Sequence, residues 1–118
     1  MLPNLHRQYY QKFKQDLEQL QQTAASTQLD ALGLRQSFLE VQQFFQQQIV
    51  SLDAGDLEPA DDQSRVQSYQ TEMSKQLQLL GIDVMFLQAA RQRGTAISRQ
   101  KQIGDRIQTL ISYCDALM

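Results

Sequence analysis

Apolar residues recur at intervals of three and four along most of this chain, a spacing that puts them on one side of an α-helix. Pro3 suits a first helical turn, because the N–H that proline lacks would have no partner there. The pattern predicts a first helix from about Pro3 to Ala24, ended by the small polar stretch 23–27. Its apolar positions are Leu5, Tyr9, Phe13, Leu17, Leu20 and Ala24.

A second segment of the same kind begins near Asp30, whose carboxylate can accept a hydrogen bond from a free N–H of the first helical turn. After Leu52 the periodicity breaks in the acidic, glycine-containing stretch 53–58. We therefore predict a second helix over about residues 30–52. Its apolar stripe is Leu34, Phe38, Val41, Phe45, Ile49 and Leu52.

The third segment is the longest, and it predicts a helix from about Pro59 to Gly94. At 1.5 Å per residue it spans about 50 Å, against about 33 Å for the others. It must therefore overhang the other helices or bend, and Gly81 is the natural place for a bend. Gly94 suits the position that follows a helix end. The main stripe is Val66, Tyr69, Met73, Leu77, Leu80, Val84 and Leu87.

A fourth helix is predicted from Thr95 almost to the last residue, with Ile103, Ile107, Leu110, Cys114 and Leu117 facing inward. The predicted connections of about five to ten residues force successive helices to lie antiparallel. We therefore predict an all-α, antiparallel up-and-down four-helix bundle with an extended third helix, forming a single domain over residues 1–118. A three-helix hairpin with a loosely attached first helix is the alternative.

Composition and charge narrow the class of partner and the location. The chain has two prolines and five glycines, too few for the frequent turns of a β protein. Its net charge of -2 gives no general attraction to nucleic acid or anionic lipid. The single cysteine excludes an internal disulfide and fits a reducing compartment. We expect a cytoplasmic protein with no targeting segment, no membrane span and no nucleic-acid partner.

Candidate catalytic or metal-binding side chains are few. His6 has no neighbour in the sequence to orient it as a general base. Cys114 lies on the apolar side of the fourth helix, where a small buried thiol is the expected role and a reactive thiol the alternative. Asp83 lies at the edge of an apolar stripe and is expected to pair with an arginine or tyrosine of this chain. We expect no catalysis, no cofactor and no metal.

The third helix also carries apolar residues away from its main stripe. Leu79, Ile82 and Phe86 project from roughly the opposite side to Leu80 and Val84 at 100° per residue, with two alanines nearby. A second apolar face needs a cover. The cover is a neighbouring helix of the same core, a second copy of the chain, or a different protein.

Charge is segregated between the turns. Cations surround the predicted third turn, namely Arg91, Arg93, Arg99, Lys101 and Arg106, whereas Asp53, Asp56, Glu58, Asp61 and Asp62 surround the second. In an up-and-down bundle these turns lie at opposite ends. The charges either complement the helix dipoles in water or make the basic end a docking site for an acidic protein surface. The candidate partner-binding residues are Leu79, Ile82, Phe86, Arg91, Arg93 and Arg99.

Several stretches resemble one known family. They are Leu29-Asp30-Ala31 with Leu34-Arg35-Gln36; Gln42-Gln43-Phe44-Phe45 with Gln48-Ile49-Val50; Val66-Gln67-Ser68-Tyr69 through Glu72, Ser74, Lys75 and Leu77; Ile82-Asp83-Val84-Met85-Phe86-Leu87 with Ala90-Arg91; and Arg106-Ile107-Gln108-Thr109-Leu110-Ile111-Ser112-Tyr113-Cys114. These resemble the heterocyst frequency control protein family, PatD, of cyanobacteria. The resemblance implies a small cytoplasmic regulator of heterocyst frequency that associates with the tubulin-like division protein FtsZ.

The leading hypothesis is therefore a non-catalytic helical regulator that binds another protein, with FtsZ as the partner that the resemblance implies. The alternative is a structural homodimer in which the third helices of two copies pack together and which has no role in division.

Overall fold

The computed structural model describes residues 4–26, 30–52 and 60–118, without the side chains of residues 60–62. Within these ranges the chain forms α1 (Asn4–Ala24), α2 (Ala31–Phe44), a π-helical segment (Phe45–Ile49), α3 (Ala60–Ala89) and α4 (Arg93–Leu117). This confirms the predicted all-α four-helix bundle. As predicted, Asp30 precedes α2 and its Oδ1 accepts a hydrogen bond from the Leu32 N–H at 3.1 Å.

Contacts between the helices define an antiparallel ring. Lys14 of α1 pairs with Asp115 of α4 at 2.6 Å, whereas Gln21 further along α1 bonds to Gln108, earlier in α4, at 3.1 Å. α1 also packs against α2, α2 against α3, and α3 against α4. Because α1 contacts two helices and supplies much of the core, the three-helix alternative is wrong.

The core is formed by side chains that repeat every seven residues in two interleaved sets, as in coiled-coil packing. In α4 these are Ile103, Ile107, Leu110, Cys114 and Leu117, all buried as predicted. In α1 the inward positions are His6, Tyr10, Phe13, Leu17, Leu20 and Ala24, so the prediction for the first turns was wrong. Leu5 is 56 % exposed and Tyr9 is only partly buried.

The sequence predicted that α2 continues as an α-helix to Leu52, and this prediction was wrong. The helix changes to the wider π-helical segment at Phe45, and the Ile49 carbonyl accepts a hydrogen bond from the Gln70 amide of α3 at 3.4 Å. Phe13 of α1 packs against both Phe44 and Phe45, with ring centroids 6.5 Å and 5.5 Å apart. The segment therefore keeps two consecutive aromatic rings against α1.

α3 has 30 residues and continues as one α-helix through Gly81, so the helix is not interrupted at that residue. It ends at Ala89, five residues before the predicted end, and α4 begins at Arg93. Gly94 lies in the first turn of α4 and does not have the left-handed φ of a helix-ending glycine. The chain reverses instead at Gln92, which is extended, with φ -102° and ψ 138°. The molecule is 51 Å long and 19 Å across.

Candidate protein-binding surface

A buried carboxylate organises the contact between α3 and α4. Asp83 is 2 % exposed; its Oδ1 accepts a hydrogen bond from Arg99 at 3.0 Å, and its Oδ2 accepts one from Arg106. Arg106 also donates to the Gln76 side chain at 3.4 Å. The prediction that Asp83 pairs with an arginine of this chain is confirmed. A carboxylate so deeply buried needs such partners because its charge would otherwise lack solvation.

Arg99 connects this ion pair to the surface. Its guanidinium lies over the Phe86 ring, with Cζ 4.7 Å from the ring centroid. The contact has the geometry of a cation–π interaction. Phe86 is nevertheless 52 % exposed. Arg99 therefore contacts both an exposed aromatic ring and the buried carboxylate of Asp83, which it shares with Arg106.

The second apolar face of α3 is largely uncovered. Ile82 and Phe86 are both exposed, and Leu79 is partly buried. Of the three covers considered for this face, packing within the core of the same chain is wrong for Ile82 and Phe86. Met85, which the sequence reasoning did not single out, is the most exposed of the large apolar residues described.

α2 extends this apolar area. The Phe38 ring of α2 packs on α3 at Gly81, with two ring atoms within 3.1 Å of the place a Gly81 Cβ would occupy. Because the helices are antiparallel, one residue further along each turns to the same outer side, where Leu39 and Ile82 lie. We define the α2–α3 surface as five residues that are 45 % to 66 % exposed: Leu32, Leu39, Ile82, Met85 and Phe86.

Two of the five cations predicted to surround the third turn are only partly exposed to the solvent. Arg91, Arg93 and Lys101 are exposed, and none of them forms an ion pair with a described residue. Arg99 and Arg106 instead turn inward to Asp83. The structure does not describe the acidic side chains assigned to the opposite end, which are those of Asp53, Asp56, Glu58, Asp61 and Asp62. The predicted separation of charge between the two ends can therefore be followed only at the basic end.

The remaining reactive side chains lie in the core. Burial raises the pKa of the Cys114 thiol to about 12, so the neutral, unreactive form dominates at physiological pH. Burial also raises the pKa of Tyr10, whose hydroxyl accepts a hydrogen bond from Gln70 at 2.9 Å. His6 is 3 % exposed, and its Nδ1 has no hydrogen-bond partner among the described residues. Across the described ranges, no three His, Cys, Asp or Glu side chains are grouped closely enough to hold a metal ion.

Comparison with known proteins adds no relative: the chain matches no protein-family model, no curated protein sequence and no solved structure. The fold thus defines the class, an all-α four-helix bundle. Among the described helices, none has the length and apolarity needed to cross a membrane.

Proposed function

We propose that this protein is a non-catalytic helical regulator that acts by binding another protein through the exposed face of α3 and the adjoining basic end. The observation that carries the proposal is Phe86, a half-exposed aromatic ring in contact with Arg99. Rigid aromatic and arginine side chains are the commonest energetic centres of protein interfaces. Large exposed apolar areas on a folded chain also indicate interaction sites.

The basic end supports the same proposal. From Val84 to Gly104 the chain contains four cations and no carboxylate, and three of those cations are exposed without an ion pair to any described residue. A field of one sign speeds association with an oppositely charged surface and helps to orient it. An acidic protein surface is therefore the complementary partner.

The proposed partner is FtsZ, on the strength of the resemblance to the PatD family. The test is co-sedimentation of the purified protein with polymerised FtsZ. We expect binding to the polymer, and we expect the double variant Arg91→Glu, Arg93→Glu to lose most of it because both charges meet an acidic surface with the wrong sign.

The matched control is Lys12→Glu with Lys14→Glu, which changes the net charge equally on α1; because these lysines pair with Asp16 and Asp115, circular dichroism checks that the control is folded. This control should sediment as the wild type does. If both double variants bind like the wild type, the basic end has no part in the contact. If the wild type itself fails to sediment with FtsZ, that partner is wrong.

A homodimer is the second candidate, because the uncovered α2–α3 surface would also suit a second copy. Light scattering during size-exclusion chromatography at micromolar concentration separates the two. A mass twice 13.6 kDa would favour the homodimer, whereas a monomer would remove it.

A further inference from the structure

We propose that the α2–α3 surface binds an acidic amphipathic helix, with apolar side chains of that helix on Leu39, Ile82 and Phe86 and its carboxylates at a rim of cations. The proposal rests on the proposed function and deepens it by naming the chemistry of the partner segment. It depends on the shape of the surface, on the charge around it and on the position of Phe86.

The surface has the shape that receives a helix. From the contact of Phe38 with Gly81, α2 runs back to Leu32 and α3 runs on to Phe86 in the same direction. At 1.5 Å per residue these steps are about 9 Å and about 8 Å, so Leu32 and Phe86 lie at a similar height.

Two antiparallel helices leave a shallow groove between them, and an apolar groove binds the apolar face of an amphipathic helix. Here the apolar part lies around Leu39 and Ile82. The lining next to Lys75, by contrast, is polar, with Ser74 and Gln78.

Cations surround this groove. Helical phase places Arg35 of α2 and Lys75 of α3 on the same outer side, and Arg91 follows the end of α3. All three are exposed and have no ion pair with a described residue. From Lys75 to Arg91 the distance along α3 is about 24 Å, or between four and five turns of a bound helix.

Exposed carboxylates are few on the same side, and the one on α3 is Glu72, three residues before Lys75. Between Met73 and Ala89 the only carboxylate of α3 is the buried Asp83, which is already paired with Arg99 and Arg106. Glu40 of α2 lines the groove toward α1, on the other side of that helix. Three exposed cations thus stand against one exposed carboxylate of α3 near Lys75, so carboxylates of a partner would supply the remaining counter-charges.

The same charges argue against a second copy as the occupant. A two-fold contact would place identical surfaces face to face and bring the two sets of Arg35, Lys75 and Arg91 together. Like charges across an interface oppose association. A partner helix with glutamates beside its apolar stripe meets the rim with opposite charge.

The test uses three probes against the full chain. The first is a fluorescent 18-residue peptide with leucines on one helical face and glutamates and alanines elsewhere. The second has lysine in place of every glutamate. The third is a vesicle of phosphatidylglycerol, which offers negative charge and an apolar interior. Anisotropy measures binding of the peptides, and co-sedimentation measures binding of the vesicles.

We expect saturable binding of the acidic peptide that weakens as salt is raised, and no binding of the lysine peptide or the vesicles. Phe86→Ser should weaken the acidic peptide at least tenfold, as should the double reversal Arg35→Glu, Lys75→Glu. The matched controls are Ile97→Ser, an equally exposed apolar residue on α4, and the double reversal Lys12→Glu, Lys14→Glu on α1. Both should bind as the wild type does, and circular dichroism checks that each variant is folded.

The inference is overturned if the acidic peptide does not bind, if Ile97→Ser weakens it as much as Phe86→Ser, or if only the vesicles bind. These results are separable from the FtsZ test. Peptide binding that depends on Phe86, without co-sedimentation, supports the inference and removes FtsZ. Co-sedimentation that the Arg91–Arg93 reversal weakens but that Phe86→Ser and the Arg35–Lys75 reversal leave unchanged supports FtsZ binding at the basic end alone and removes the inference.

Discussion

Asp83 is the charged side chain whose burial makes its ion pairs most important for stability. Its carboxylate is almost inaccessible to water, whereas the side chains of Arg99 and Arg106 are 33 % and 21 % exposed. Loss of the carboxylate leaves guanidinium groups that can still reach solvent. Loss of both guanidinium groups leaves a charge without solvation, and this asymmetry decides which substitution is worse.

We expect the double variant Arg99→Met, Arg106→Met to lower the free energy of unfolding by about 3 kcal/mol, because it strands a buried charge. Asp83→Leu should cost less, since the freed arginines turn to water. Urea unfolding followed by circular dichroism measures both. A larger loss for Asp83→Leu than for the double variant would contradict this account.

Cys114 gives the stability a pH dependence at alkaline pH. Burial raises the pKa of its thiol to about 12, above the usual value of about 9, so the folded state keeps its proton where the unfolded state loses it. The free energy of unfolding should therefore fall above pH 9, by up to about 1.4 kcal/mol per pH unit until the folded thiol ionises near pH 12.

The measurement is urea unfolding at pH 8 and pH 10 for the wild type and for Cys114→Ala. The variant should be less stable at pH 8, because it leaves a small cavity, and should lose less stability between the two pH values. Tyr10 also has a raised pKa, so part of the decline persists in the variant. Equal declines in the two proteins would show that the thiol does not contribute.

At the scale of single residues, the sequence predicted the burial of side chains whose position follows from one helical stripe. The burial of Cys114 was predicted in this way, whereas the pairing of Asp83 was predicted only as a need for an arginine or tyrosine of this chain, without naming the two arginines of α4. At the start of α1, Leu5 and His6 are both compatible with a spacing of three or four from the residues that follow, and hydrophobicity favoured Leu5. The seven-residue repeat of the whole helix places His6 inward instead, a constraint that residue-by-residue hydrophobicity does not contain.

At the scale of elements, α2 and α3 approach closely because Gly81 has no side chain. An added Cβ would lie 3.0 Å from the Phe38 Cζ, closer than ordinary packing allows. Gly104 of α4 is the contrasting case, since nothing lies within 4 Å of an added Cβ there. The two glycines occupy helix interiors but have different surroundings.

We expect Gly81→Ala to destabilise the protein by about 1 to 2 kcal/mol, because displacement of the Phe38 ring outweighs the gain in helix propensity. Gly104→Ala should stabilise it by about 0.5 to 1 kcal/mol, because it gains the propensity without a clash. Thermal and urea unfolding of the two variants provide the comparison. The idea fails if Gly81→Ala is as stable as Gly104→Ala, or if adding Phe38→Leu does not relieve the defect.

The number and order of the helices could be predicted because each apolar stripe is long and regular. The ends of α3 and α2 could not. Gly94 resembles a helix-ending residue in sequence, but the reversal occurs at Gln92, where tertiary packing decides the backbone. The π-helical segment leaves almost the same apolar spacing as an α-helix, so Phe45 and Ile49 gave no signal of it.

At the scale of the whole molecule, the two sides of α3 have different roles. One side completes the core, and the other forms the α2–α3 surface beside the basic end. The sequence predicted the second apolar face and the cluster of cations from α3 and α4 alone. It did not predict that α2 adds Leu32 and Leu39, because that requires knowing which helices are neighbours.

Because Phe86 is half exposed, Phe86→Asp should leave the fold intact, with a loss of unfolding free energy below about 2 kcal/mol rather than the larger loss of a core substitution. Leu80→Asp, six residues earlier on the buried side of the same helix, should unfold the chain. Circular dichroism and thermal unfolding distinguish the two. Unfolding by Phe86→Asp would mean that this ring belongs to the core.

A seven-residue repeat does not by itself define the register of two packed helices. One helix can shift by seven residues along the other and still pack apolar side chains against apolar side chains. Arg99 and Arg106 are themselves one repeat apart, with Asp83 reaching both. Sliding α4 one step either way would replace one arginine with Tyr113 or with Gln92, and the carboxylate would keep a single cation. Only the observed alignment gives the Asp83 carboxylate two cations. The ion pairs therefore favour this register of α4 against α3, and with it the position of Arg99 beside the Phe86 ring.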